Sequence, residues 1–78
     1  MSDIKPDRRV DTTGQCCPVP IVETNRAIKQ MQSGQVLEVV CTDLGSRMDI
    51  PAWCERTGHR LLVSEARDGK FYFYVRRR

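Results

Sequence analysis

No apolar stretch in this chain of 78 residues approaches the ~20 residues that cross a bilayer, so a membrane span is not expected. The opening segment, Met1 to Arg9, is polar and charged and lacks the apolar core of a secretory signal. A cytoplasmic, thiol-reducing setting is therefore expected. Aromatic residues are scarce: one Trp, two Tyr and two Phe leave little from which to build a base-stacking surface. There is one histidine and no Cys-x2-Cys pair, so Cys54 and His59 find no partners to complete a zinc tetrahedron, and no metal is expected. No cofactor motif, internal repeat or low-complexity segment is present either.

What remains is ordinary for a small globular protein, with 40% hydrophobic and 29% charged residues. A chain this short holds one core. The expected organisation is a flexible tail over residues 1–7 and a single domain over 8–78. The net charge of +3 is mild, and much of it sits at Arg8-Arg9 and Arg76-Arg77-Arg78. Such end clusters read first as a solvated, fraying tail, with an acidic protein partner as the next reading and nucleic acid behind it.

Hydrophobic patterning predicts β-α-β-α-β-β. A first strand is expected over Arg8–Thr12, ending at Gly14, followed by a helix from Cys17–Pro18 to about Gln32, stopped by Ser33-Gly34. Its inward stripe is predicted as Ile21, Asn25, Ile28 and Met31 or Gln32, with Val22 beside it. Val36–Cys41 is dense in β-branched residues and reads as a strand. A second helix should start at Ser46, with Ser46 and Asp49 spaced as a capping box and Pro51 in the first turn, and should end at Gly58. Leu61–Ala66 and Phe71–Arg76 flank Asp68-Gly69, a hairpin signal. In the last strand Phe71, Phe73 and Val75 alternate with Tyr72, Tyr74 and Arg76, which suits a sheet covered by helices on one side only. The fold class is α+β: a two-layer α/β sandwich with a four-stranded mixed sheet, two helices on one face and a parallel first β-α-β unit. The order of the strands does not follow from the sequence.

Four cysteines are present, at 16, 17, 41 and 54. Adjacent Cα atoms lie ~3.8 Å apart, shorter than the ~4.4–6.8 Å usual for a disulfide, so a Cys16–Cys17 bridge would be strained. Cys17 opens the run Cys17-Pro18-Val19-Pro20. If it caps the helix, the two prolines fall where their missing N–H groups cost nothing and hold the first turn rigid. Gly14 supplies the turn that presents it, and Val19 and Ile21 remain as amide donors. The positive end of the helix dipole favours a thiolate there, below the free-cysteine pKa of ~8.5. Cys16 stands as an incidental small residue, a resolving thiol or a second sulfur-accepting site. Cys41 and Cys54 read as packing residues.

Asp11–Gly14 with Cys17-Pro18-Val19-Pro20, Met31–Gly34, the apolar strand 36–40, Asp43, Asp49-Ile50-Pro51, Trp53-Cys54 and His59 together resemble the TusA or SirA-like sulfur carriers, along nearly the whole chain. The resemblance implies a sulfurtransferase-type carrier whose Cys17 accepts sulfane sulfur as a persulfide. The donor would be a cysteine desulfurase or rhodanese-like protein, and the sulfur would pass to a downstream protein, for tRNA 2-thiouridine synthesis or sulfur metabolism. Gly14, Pro18 and Pro20 would support the helix start, Cys16 would be accessory, and Asp43, Arg47 and Asp49 would face docking partners. The rival class is a small basic nucleic-acid-binding module using Tyr72 and Tyr74. The arginines cluster at the terminus rather than along the sheet, which disfavours direct nucleic-acid binding.

Overall fold

The computed structural model describes residues 5–16 and 19–78. Six elements follow in the order β1 (Arg8–Thr12), α1 (Val19–Lys29), β2 (Val36–Cys41), α2 (Ser46–Thr57), β3 (Arg60–Arg67) and β4 (Lys70–Arg76). The expected α+β class and its β-α-β-α-β-β order are both met. The strands form one mixed sheet in the order β1-β2-β4-β3. β1 and β2 are parallel neighbours, while β4 runs antiparallel to both β2 and β3. Consequently both βα connections leave from the same end of the sheet.

The core lies between the helices and one sheet face. Leu37, Val39 and Cys41 of β2 and Phe73 and Val75 of β4 alternate onto that face and are buried, under Ala27, Ile28, Ile50, Trp53 and Cys54 of the helices. The opposite face carries Arg9, Glu38, Tyr74 and Val63 in one cross-strand row. There the Tyr74 hydroxyl donates to Glu38 Oε2 at 2.7 Å, and Arg9 Nε lies 3.3 Å from Glu38 Oε1. The alternation predicted for the last strand is what assigns these two faces.

α1 differs from its sequence reading in length and in face. It is an α-helix only to Lys29; beyond it Gln30 and Met31 donate to Ala27 and Ile28, i→i−3 bonds that tighten the exit. Ile28 and Met31 of the expected stripe are buried and Ile21 packs against the core, but the buried face also takes in Pro20, Thr24 and Ala27, and Asn25 is only half-buried. Val22, placed beside the stripe by the sequence reading, is 49% exposed. Thr24 becomes an acceptable core residue because its hydroxyl donates back to the Pro20 carbonyl at 2.6 Å.

The start of α2 also departs from expectation. Gly45, not Ser46, is the N-cap, and no side chain caps the helix. Successive i→i−3 bonds from Ser46, Arg47 and Met48 to the carbonyls of Asp43, Leu44 and Gly45 satisfy the amides that a capping box would have taken. Ser46 is instead buried within the first turn. Its hydroxyl sits near enough to Cys41 to act on that thiol but makes no hydrogen bond of good geometry. Pro51 consequently falls in the second turn, where its missing N–H removes the i→i−4 bond that an ordinary residue would give the Arg47 carbonyl. The helix ends as predicted at Gly58, left-handed at φ 84°, whose amide donates to the Cys54 carbonyl. Asp68 and Gly69, both at positive φ, turn the β3–β4 hairpin.

The βα end of the sheet as candidate functional site

The chain leaving β1 is shaped by its own short polar side chains. Asp11 Oδ1 accepts from the Thr13 amide at 2.9 Å and from the Thr13 hydroxyl at 2.5 Å, an Asx-type turn. Those two bonds, the hydroxyl bond first, hold the Asp11 carboxyl below its ordinary range. Thr12 is buried and its hydroxyl donates across to the Val40 carbonyl. Gln15 N–H then donates to the Thr12 carbonyl, and Gly14, at φ 82°, takes the left-handed conformation such a turn requires.

Among the described residues, Gly14 N–H donates to Thr42 Oγ1 at 2.9 Å and so joins this turn to the second βα connection. The turn that follows β1 therefore lies against the residue that follows β2. Cys16 is exposed, and its carbonyl accepts the Val19 amide at 3.0 Å. That bond occupies one of the two donors, Val19 and Ile21, that the sequence reading left for Cys17. Cys17 and Pro18 lie outside the described residues. Pro20 is in the first turn of α1 and buried.

The three proposed docking residues are distributed as follows. Asp43 and Asp49 flank Gly45, such that a Cβ there would stand 3.0 Å from Asp43 Oδ2 and 3.7 Å from Asp49 Oδ2. Arg47 reaches instead toward β4, its guanidinium 5.3 Å from the centre of the Phe71 ring. Sequence reasoning missed Leu44, 73% exposed in the same connection, and Met48, 78% exposed in the first turn of α2. Two apolar residues four apart at the entrance of a polar helix were the available signal.

The other thiols are chemically quiet. Burial raises the Cys41 thiol, an effect partly opposed by the Ser46 hydroxyl, and burial pushes Cys54 up to about 11. His59 stacks at 5.2 Å from Trp53 and accepts the Arg78 amide on Nδ1, so Cys54 and His59 serve packing and the fold. The aromatics of the open sheet face are also engaged: Arg67 lies 4.3 Å over the Tyr72 ring, and Tyr74 is buried against Glu38.

The chain is similar to known proteins in sequence and in fold. The family described as sulfurtransferase TusA matches residues 8–77. A putative sulfur carrier protein of Aquifex aeolicus is 40% identical over 77 residues; the match takes in 99% of this chain and 39% of that protein. The sulfur carrier protein TusA of Allochromatium vinosum is 39% identical over 71 residues, covering 91% of this chain and 93% of its own. The crystal structure of a SirA-like protein from Desulfitobacterium hafniense shares the fold, with a TM-score of 0.77, 23% identity and coverage of 88% and 95% of the two chains. No helix among the described residues is long and apolar enough to cross a membrane. With its Cys-Pro-x-Pro run in the sequence that links β1 to α1 and its four-stranded mixed sheet, the chain belongs to the TusA family of sulfur carriers.

Proposed function

We propose that Cys17 carries the sulfur, as a persulfide, between a cysteine desulfurase or rhodanese-like donor and an acceptor protein. The observation that supports this most is positional: Cys17 falls in sequence between β1 and α1, and the Gly14–Thr42 bond joins that connection to the one that leads into the exposed Leu44 and Met48. The Cys17 thiolate attacks the terminal sulfur of the donor persulfide. One S–S bond forms, the donor's S–S bond breaks, and the donor leaves as a thiolate. The Cys17 persulfide is then attacked at its terminal sulfur by an acceptor thiolate, which regenerates the Cys17 thiolate. Neither step changes the net oxidation state, so no external redox partner is required.

Gly14, Pro18 and Pro20 shape the helix start in this reading, while Asp43, Arg47 and Asp49 rim a docking surface centred on Leu44 and Met48. Exposed apolar side chains surrounded by charge make the kind of anchor a transient interface uses. Cys16 is a neighbour that the chemistry does not require. The reading also places the protein in the cytoplasm, where a free thiol persists, with residues 8–78 as the working domain and 1–7 as its tail. Whether the sulfur goes to tRNA thiolation or to sulfur-compound metabolism is set by the partners.

The test is intact-mass analysis after incubation of the reduced protein with a cysteine desulfurase and cysteine. A gain of one sulfur, reversed by reductant, is expected in the native chain and in Cys16→Ser and is expected to vanish in Cys17→Ser. Loading that survives in Cys17→Ser would move the site elsewhere.

A further inference from the structure

The end of the sheet remote from the two βα connections carries an unexplained concentration of positive charge. Lys29 closes α1, Arg56 lies in the last turn of α2, Arg60 opens β3, and Arg76, Arg77 and Arg78 close the chain's last strand and follow it. These are six of the thirteen Lys and Arg in the sequence. Among the described residues, ion pairs join Arg9 to Glu38, Arg26 to Glu23 and Arg67 to Glu65, and none involves Arg56, Arg60, Arg76, Arg77 or Arg78.

The arrangement is also held in place at some cost. Arg60 and Arg76 are direct partners across the β3–β4 ladder, and like charges set opposite each other are destabilising. Nor is the segment a loose end, as its sequence suggested. Arg77 N–H donates to the Gln35 carbonyl, the Arg77 carbonyl accepts from Gly34, and its guanidinium donates to the Met31 carbonyl at the exit of α1. Arg78 N–H donates to His59 Nδ1 at 3.2 Å. Its side chain lies across Gly58, where a Cβ would stand 3.3 Å from Arg78 Cδ and Nη1. Two shallow grooves of about 340 and 350 Å³ result, sharing Arg77 and Arg78 between them. Lys29, Arg56 and His59 line one; Arg60 and Arg76 line the other.

We propose that this end is a second docking site, which binds an acidic peptide segment of a partner protein by its side-chain carboxylates. Guanidinium forks match carboxylates in paired hydrogen bonds, and a fixed backbone spares part of the ordering entropy of the contact. An acidic peptide fits better than a nucleic acid, because no exposed aromatic ring on which a base could stack accompanies the arginines. The strand β2 separates the two ends by about 17 Å, at ~3.3 Å per residue. A partner held at the arginine end therefore leaves the end with the two βα connections clear and raises its own effective concentration there.

The test uses a fluorescent octaglutamate peptide with the full chain at low salt, read by anisotropy. A variant carrying Arg56→Gln, Arg60→Gln and Arg78→Gln alters three exposed side chains and spares Arg77, which supports α1. Binding is expected to weaken by about tenfold or more in that variant, the loss of at least one charge-assisted pair. Lys70→Gln, at the opposite end, is expected to change it by less than about twofold. Cys17→Ser is expected to bind as the native chain does, so this result stands apart from sulfur loading. The single histidine gives a second readout: its NMR resonances should shift, and its titration should move upward, as carboxylates approach. Should the triple variant fail to fold, that shift in the native chain decides. Absence of peptide binding at low salt, equal weakening by Lys70→Gln, or tighter binding of an oligouridine with the same arginine dependence would each overturn the proposal.

Discussion

Thr42→Val removes one hydroxyl and little else, since valine keeps the β-branched shape. The hydroxyl accepts the Gly14 amide at 2.9 Å, the one hydrogen bond between the two βα connections among the described residues. A net hydrogen bond is worth about 0.5–1.5 kcal/mol, and the exposed Gly14 amide can recruit water, so about 0.5 kcal/mol is expected here. For a domain of this size that lowers Tm by roughly 2–4 °C. The effect on sulfur uptake should be larger than the effect on stability, because the bond positions the segment that presents Cys17. Misplacement of a reacting group is costly, and a slowing of roughly threefold to tenfold is expected. The assay is stopped-flow or quenched sulfur loading from a desulfurase in a Cys16→Ser background, at a temperature where every variant is folded. Thr42→Ser keeps an acceptor and should behave as the parent does. If Thr42→Val loses the expected stability yet loads sulfur at the parental rate, the bond does not organise the site, and the argument from loop adjacency fails.

Three further outcomes are expected. Gly58→Ala forces an L-residue to φ 84° and a methyl to 3.3 Å from the Arg78 side chain; left-handed backbone alone costs about 1–2 kcal/mol, measurable by urea denaturation. In the native state at pH 8, iodoacetamide should label Cys16 and Cys17 and spare Cys41 and Cys54, which are buried with raised thiol pKa values; peptide mapping checks this. Burial, then the charges of Arg78 and Arg77, hold His59 below the usual imidazole value of 6.5, so its contribution to stability is complete above that pH. It is lost as the pH falls from there through the depressed native value, because the unfolded chain takes the proton first and a protonated Nδ1 cannot accept the Arg78 amide. Thermal unfolding between pH 7 and about pH 5 should therefore fall more steeply in the native chain than in His59→Gln.

Strands were the most legible part of the sequence, because a face buried on one side forces period-two alternation. Phe71, Phe73 and Val75 declare the core face of β4 directly, and the two positive-φ residues of the hairpin sit at the predicted Asp68-Gly69. Helix faces were less legible. In α1 the buried positions include Pro20, Thr24 and Ala27, none of which reads as strongly hydrophobic, while Val22 points outward. Thr24 satisfies itself within the helix and Ala27 lets the helix approach the sheet, so the packing surface is set by small size rather than by hydropathy. The start of α2 was misread for a related reason. A Ser-x-x-Asp spacing implies a capping box only if no other acceptor is nearer, and here backbone carbonyls of the preceding turn supply the acceptors. Strand order was not legible at all, because it is decided by long-range pairing.

The candidate site divides along the same line. Its proposed reactive residue is a local feature, since a cysteine followed by Pro-x-Pro predicts a rigid helix start within four residues. Its surroundings are not local: Thr42 is 28 positions from Gly14, and Leu44 and Met48 matter only because parallel pairing of β1 and β2 brings both connections to one end. That same pairing sends Lys29, Arg56 and the last arginines to the other end. A mixed sheet with a parallel first pair thus separates a thiol-bearing corner from a cationic one by the length of a strand. Two surfaces on so small a carrier can contact different parts of one partner, and the separation is what would let such a partner remain bound while the sulfur changes hands.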